Sequence, residues 1–394
     1  MRLGLSRIDR VGVVVALIAA YGLIAPFALF RANRIVQGEG RSLLDSLPPM
    51  HGMVLLGLAI AGIVVALLRL PLLVRLVASF VLLAVLAIAV GSAASFLTPE
   101  GNGYARVSPG SGFWMLSAAF ALLAADSLAR MRPGAWVRIA FLAATAAATT
   151  LVLTSGLWSG LSIMKEYASR ADTFWIEAGR HLTLALGSLV VAALAGIPLG
   201  IFCHRVKPVR SAILNLLNIV QTIPSIALFG ILIGPLSWVA INVPGAADLG
   251  IRGIGTAPAF VALFLYSLLP MVANTVGGLA SVPRDANDAA RGVGMTDRQR
   301  LVQVELPLAF PVILTGIRIV LVQNIGLATI AALIGGGGFG VFVFQGLGQT
   351  AMDLVLLGAV PTVALAFAAA VILDAVVELT APKNTNAGRK EATA

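Results

Sequence analysis

The chain has 394 residues, of which 59% are hydrophobic and only 11% charged, and its mean hydropathy is +0.98. This composition excludes a water-soluble domain of that length, and it leaves the net charge of +10 to be matched by anionic lipid head groups rather than by nucleic acid. One cysteine, Cys203, excludes a disulfide framework, and His51, His181 and His204 are too scattered to hold a metal, so no cofactor is expected.

A membrane-crossing helix needs about 20 mostly apolar residues. Ten such windows follow one another near residues 11–30, 52–69, 75–97, 112–129, 136–158, 181–203, 211–234, 258–280, 312–334 and 354–379. The pattern predicts an all-α, polytopic transmembrane protein of about ten helices. The first window follows Arg2, Arg7 and Arg10 and is long for a signal peptide, so it is expected to stay as an anchor. Trp114, Trp136 and Trp158 sit at window ends and fit an interfacial belt. Asp126, Asp374 and Glu378 lie towards inner helix ends, where water is available.

Short loops that stay in the cytoplasm keep an excess of Lys and Arg. With the N-terminus inside, 19 of the 27 basic residues fall on cytoplasmic segments, which predicts that both termini are cytoplasmic. Arg31, Arg34 and Arg41 run against this trend, on a loop placed outside.

Amides and prolines inside apolar helices must face protein or water, because an unsatisfied polar group in hydrocarbon is costly. Asn218, Gln221, Thr222 and Pro224 in the seventh window, Asn274 in the eighth, and Gln323 with Asn324 in the ninth are therefore translocation-pathway candidates. Interhelical hydrogen bonding is the competing reading for each of them. Gly335 to Gly340 ends a window and lacks the strand and helix of a nucleotide loop, so packing or an outer turn explains it better.

Between the eighth and ninth windows the character changes, with eight charged residues in the 22 positions 284–305. Residues 284–293 have the pattern of a short helix with Ala289, Ala290 and Val293 on one face. Gly294 supplies a left-handed stop. Thr296 and Gln299 then form a capping-box pattern that opens a second short helix, which Pro307 is expected to close. No G-x-x-x-x-G-K-[ST] run occurs, so the chain has no such phosphate cradle and no catalytic residues of its own are expected.

The stretch Asp288, Ala289, Ala290, Gly294, Val304, Leu306 and Pro307 resembles the cytoplasmic loop of bacterial ABC importer permeases. The family pattern is Glu-Ala-Ala, three residues, Gly, nine residues, Ile, one residue, Leu-Pro; Asp and Val are the two departures here. The runs His181–Ile201, Gln221–Gly230 and Ala328–Gly348 are similar to permeases of osmoprotectant importers, which move glycine betaine, choline and carnitine. The resemblance implies a type I permease core over 170–380, with its coupling loop at 284–310 seating in an ATPase. An extension of about five helices over 1–160 would precede the core, and a cytoplasmic tail over 381–394 would follow it. It implies as partners ABC ATPase subunits, an extracytoplasmic substrate-binding protein and a second permease copy or sister permease, all in the bacterial inner membrane. Two other readings stay open: a permease for another small solute, and an ion-coupled transporter built from two five-helix repeats.

Overall fold

The computed structural model describes residues 8–33, 36–99 and 101–380. Arg2, Arg7, Arg34, Lys383, Arg389, Lys390 and the expected tail 381–394 lie outside the described residues. The chain divides into two compact units, Met1–Ser169 and Arg170–Ala394.

The first unit begins with α1 (Arg10–Ile24), which ends before Pro26 as the chain turns into strand β1 (Ala28–Arg31). Strand β2 (Glu39–Arg41) precedes α2 (Pro49–Leu67) and α3 (Leu72–Leu97); strand β3 (Arg106–Pro109) precedes α4 (Ser111–Met131), α5 (Ala135–Thr154) and the short α6 (Ser162–Ser169). The strands form an antiparallel sheet in the order β2-β1-β3, with Leu29 opposite Gly40 on one side and Ser108 on the other. Gly110 and Gly112 let β3 and α4 close in on the turn after α1, where their amides donate to Phe27 O and Pro26 O at 2.8 Å each. A Cβ at Gly110 would lie 2.2 Å from Pro26 O.

The core of this unit is apolar and tightly fitted. Phe120, Leu116, Leu86 and Val90 are buried between α3 and α4, and Phe27 meets Phe113 edge-on at 6.0 Å. Helix α5 is the exception, since of its residues only Ala135 is buried. Its Thr145, Thr149 and Thr154 hydroxyls donate to the carbonyl four residues back, which satisfies them without a neighbouring helix.

At one end of the first unit the starts of α1 and α3 meet the ends of α2 and α4. Asp9 caps α1 by accepting from Gly12 N at 2.9 Å, and it takes Arg130 Nη1 at 2.6 Å and Arg75 Nη1 at 3.3 Å. Burial would raise the Asp9 pKa, but the Arg130 hydrogen bond, the Gly12 amide and the Arg75 charge outweigh it and hold the carboxyl well below the usual range. The cluster thus contributes stability above the ordinary aspartate pKa and loses it only as pH falls through the depressed value.

The second unit contains α7 (Ala171–Arg205), α8 (Lys207–Thr222), α9 (Ser225–Asn242), α10 (Thr256–Ala280), α11 (Arg284–Gly292) and α12 (Asp297–Arg300). A π-helical turn over Leu301–Glu305 leads into α13 (Leu306–Ile330), and a 3-10 turn over Ala331–Ile334 follows it. Then come α14 (Gly340–Gly348) and α15 (Met352–Thr380). Helix α10 is the centre of this unit, with 56% of its most apolar window buried, and it packs on α7, α13, α8 and α9. The closest approach uses glycines four residues apart on α7: Cβ atoms at Gly196 and Gly200 would lie 2.7 Å from Met271 Cγ and 2.5 Å from Thr275 Cβ. In a membrane, where apolar burial does not drive helices together, such small residues bring backbones into van der Waals contact.

Among the described residues nine helices are long and apolar enough to cross a membrane, and α1, with 15 residues, is a shorter apolar helix. Two expectations are corrected. The window 211–234 is not one helix: Ile223 is extended at ψ 127 before Pro224, which lacks an amide hydrogen, so α8 ends at Thr222 and the apolar crossing is α9. Pro307 does not close a second short helix either. The backbone widens over Leu301–Glu305, Leu306 N donates to Leu301 O five residues back, and α13 starts through Pro307 without a break.

The glycine run after α13 is packed. Gly337 and Gly338 have φ of +77 and +85, Gly338 N donates to Glu177 Oε2 at 2.6 Å, and Phe339 N to His181 Nδ1 at 3.4 Å.

Replacing Gly200 by Leu should lower the thermal stability of the detergent-solubilised chain by about 1–3 kcal/mol through overpacking. Gly57→Leu, where a Cβ meets nothing within 4 Å, should leave it unchanged. A thermal melt of both variants checks the contrast.

Candidate functional site

The segment from Arg284 to Pro307 is built from local rules first. Pro283 opens α11 and Asp285 lies in its first turn, where a negative charge suits the helix dipole. The helix stops in a two-bond glycine cap: Gly294, at φ +83, donates to Arg291 O at 2.9 Å, and Met295 N donates to Ala290 O at 3.1 Å. Thr296 caps α12, since Gln299 N donates to its Oγ1 at 3.3 Å while Thr296 N donates to Gln299 Oε1 at 2.9 Å.

Tertiary contacts then fix the segment to its unit. Ala290 is buried, whereas Asp288, Ala289 and Gly294 are exposed and Val293 is 76% exposed. Ala290 therefore faces inwards while Ala289 and Val293 face out. The three do not share one free face, because Ala290 sits 100° further round the helix than Ala289. Leu301 and Leu306 pack with Leu279, Val282, Ala309 and Ile313. Val304 and Leu306 are half-buried, and Pro307 is exposed.

The strongest tie is ionic. Glu305 is buried, with one oxygen accepting from Arg300 Nε at 3.1 Å and the other from Arg205 Nη2 at 2.7 Å. Arg300 also reaches Asp297 at 2.8 Å. A carboxylate held between two guanidiniums is among the stronger protein hydrogen-bond arrangements, and it joins the segment to the last residue of α7. Sequence reasoning assigned no role to Glu305, Arg300 or Arg205. The local signal was an acid and an arginine five positions apart in an otherwise apolar helix start; nothing local marks Arg205.

The polar residues of the helices separate into groups. On α8, Asn218 and Thr222 are exposed, and Thr222 Oγ1 donates to Ile219 O at 2.7 Å. Gln221 Nε2 donates to Tyr266 O at 2.7 Å, while the Tyr266 hydroxyl donates to Ile223 O. Tyr266 O lies four residues before Pro270, which has no amide hydrogen to offer it, so Gln221 supplies the missing donor. Pro224 caps α9 just beyond this clasp.

Asn324 is fully buried on α13. Its Nδ2 donates to Ser188 Oγ on α7 and Ser267 Oγ on α10, each at 2.9 Å. Asn274 is half-buried; its Nδ2 donates to Pro270 O at 2.7 Å within α10, and its side chain packs against Gly316. Gln323 is half-buried on α13. No side-chain hydrogen bond links one of the seven pathway candidates to another among the described residues. No group of three or more His, Cys, Asp or Glu that could hold a metal occurs among the described residues.

Comparison with known proteins gives two family matches. Residues 9–164 match the N-terminal domain described for the ABC transporter permease YehY, and residues 196–386 match the binding-protein-dependent transport system inner membrane component. The chain is 37% identical over 212 residues to the glycine betaine/carnitine/choline transport system permease protein OpuCB of Bacillus subtilis, a match covering 54% of this chain and 88% of the relative. It is 37% identical to the choline transport system permease protein OpuBB of the same organism, over 53% of this chain and 87% of the relative. To the osmoprotectant import permease protein OsmW of Salmonella typhimurium it is 42% identical, over 46% of this chain and 79% of the relative.

Glu305→Ala should free the loop from α7 and raise trypsin cleavage at Arg298 and Arg300 by roughly tenfold under native conditions, through local opening. Limited proteolysis followed by peptide mapping reads this directly, and an unchanged cleavage rate would remove Glu305 as the fastening point.

Proposed function

We propose a function on one premise: the chain belongs to the binding-protein-dependent transport system inner membrane components, the permease subunits of ABC importers. It is a transport subunit with an all-α, multi-pass core, and ATP hydrolysis lies with a separate subunit. An ATPase and a substrate-binding protein are the general partners of such a permease. The halves match two different families, an arrangement unlike two repeats of one five-helix unit.

The substrate we infer is an osmoprotectant of the quaternary ammonium type, such as glycine betaine, choline or carnitine. The observation that carries this reading is the 37% identity to a permease of that description over 88% of its length. The chain lies in the inner membrane with both termini in the cytoplasm, as the excess of basic residues on alternate loops supports. A second permease, identical or related, completes the pore. Residues 1–160 are an added membrane domain, residues 170–380 the permease core, and residues 381–394 a cytoplasmic tail.

The coupling segment is 284–310, with Asp288, Ala289 and Gly294 meeting the ATPase, Ala290, Val304 and Leu306 seating the segment on the bundle, and Pro307 carrying it into α13. ATP-driven closure of the ATPase pair moves this segment. Through the Arg205–Glu305–Arg300 bridge the motion reaches the end of α7, and α10 follows because its backbone lies against α7 at Gly196 and Gly200. The α8–α9 break, clasped by Gln221 and Tyr266, can hinge without exposing an unpaired carbonyl. Asn218, Gln221, Thr222, Pro224, Asn274, Gln323 and Asn324 line or shape the solute route, with Asn324 acting as a fixed point among three helices.

The test is uptake in proteoliposomes holding the permease with its ATPase and binding protein. Labelled glycine betaine, choline and carnitine are supplied with ATP inside. ATP-dependent accumulation of at least one is expected, and none for a control amino acid. Gly294→Val, which forces a β-branched residue to positive φ, should reduce uptake by at least about tenfold while membrane insertion persists. Uptake that follows an ion gradient without ATP would refute the coupling assignment.

A further inference from the structure

The end of the first unit where α1, α2, α3 and α4 converge holds an open cavity of about 350 Å³. Arg10, Arg69, Arg75 and Arg130 line it, with Asp9 the one acid among its lining residues. Asp126, just behind, is the other carboxylate of the cluster, 3.0 Å from Arg130 Nε and 3.6 Å from Arg75 Nη1. Four guanidiniums therefore face two carboxylates, and the cluster carries an excess of positive charge.

The excess is built in. Arg75 is 1% exposed and is one of the cavity's lining residues, and its enclosed Nε has no hydrogen-bond partner among the described residues. Burying a guanidinium is costly, and an anion close by offsets part of that cost. Arg69, which lines the cavity, is held in place by its Nε, which donates to Ile8 O at 3.1 Å. Arg10 forms no ion pair among the described residues. Asp9 fixes Arg75 and Arg130, so these cationic groups are positioned before any ligand arrives.

The placement limits what the ligand is. The cavity lies where four apolar helices start or end, which is the depth of lipid head groups rather than of hydrocarbon. A guanidinium fork matches the oxygen geometry of phosphate, and anionic lipid is concentrated at that depth.

We propose that Arg10, Arg69, Arg75 and Arg130 form a binding site for a phosphate-bearing anion, either the head group of an anionic phospholipid or a soluble phosphate. The site belongs to the first unit and is independent of the permease chemistry of the second. Its occupant neutralises the surplus charge, including that of the buried Arg75, pinning the converging ends of α1 to α4 at the membrane surface.

The experiment is a thermal melt of the full chain in neutral detergent, titrated with dioctanoyl phosphatidylglycerol, dioctanoylglycerol or inorganic phosphate. Phosphatidylglycerol should raise the melting temperature saturably, as a ligand bound only by the folded state does, and dioctanoylglycerol should not. The variant Arg10→Gln/Arg69→Gln should weaken the apparent Kd by roughly thirtyfold, and Arg10→Gln alone by roughly fivefold, from the removal of one or two surface charges. Arg252→Gln, outside the first unit, should leave it unchanged. If inorganic phosphate stabilises and competes with the lipid, the site is one for soluble phosphate; if it does neither while the lipid binds, the lipid is the ligand. Stabilisation by neither, equal stabilisation by dioctanoylglycerol, or an unaltered Kd in the double variant would each overturn the proposal.

Discussion

Glu305 is the residue on which the working half of the molecule depends. Buried between Arg300 and Arg205, it makes the polar segment after α10 continuous with the end of α7, a hundred residues earlier in the chain. Without that bridge the segment would be held mainly by the apolar contacts of Leu301 and Leu306, which resist separation but set no direction. Two hydrogen bonds from guanidinium groups define an orientation for the segment against the end of α7. The π-helical turn over Leu301–Glu305 belongs to the same design. It lets the helix continue through Pro307, so α12 runs into α13 without a break.

Satisfaction of the backbone is the second constraint, and it explains several polar residues at once. Every proline inside a helix leaves a carbonyl four residues back without its donor. At Pro270 that carbonyl, Tyr266 O, is taken by Gln221 of α8, and the Tyr266 hydroxyl returns to Ile223 O at the α8–α9 break. One exchange thus repairs a kink in α10 and secures a break in its neighbour. Asn324 works in a related way, tying α7 and α10 to α13 through two serine hydroxyls that already donate to their own helices. These amides are structural members of the bundle whatever else they meet during transport.

The first unit solves its packing with different means. A small antiparallel sheet closes one region, glycines admit β3 and α4 to the turn after α1, and an ionic cluster around Asp9 closes the end where four helices meet. Helix α5 stays almost wholly exposed, its threonines satisfied within their own helix. An apolar helix with its hydroxyls satisfied internally suits a hydrocarbon solvent without a covering neighbour.

The sequence by itself determined the class and much of the local structure. Long apolar windows force helices because hydrocarbon leaves backbone groups no other partner, and Gly294, Thr296 and Gln299 write their turn and cap in adjacent positions, where backbone geometry alone decides. The order Asp288, Ala289, Ala290, Gly294 and Leu306-Pro307 was legible for the same reason: its spacing is short. The break at Pro224 was visible as a proline, yet whether it bent one helix or divided two depended on Tyr266 and Gln221 meeting across the bundle. Pro307 reads as an end in the sequence, whereas the widened turn that carries the helix through it is a property of the backbone path and not of residue type. The three-stranded sheet, the Arg205–Glu305 bridge and the four arginines gathered at one cavity come from distant segments brought together in space. Only the tertiary structure decided those, since backbone pairing and side-chain contacts between distant segments act over ångströms and leave no periodicity in the chain.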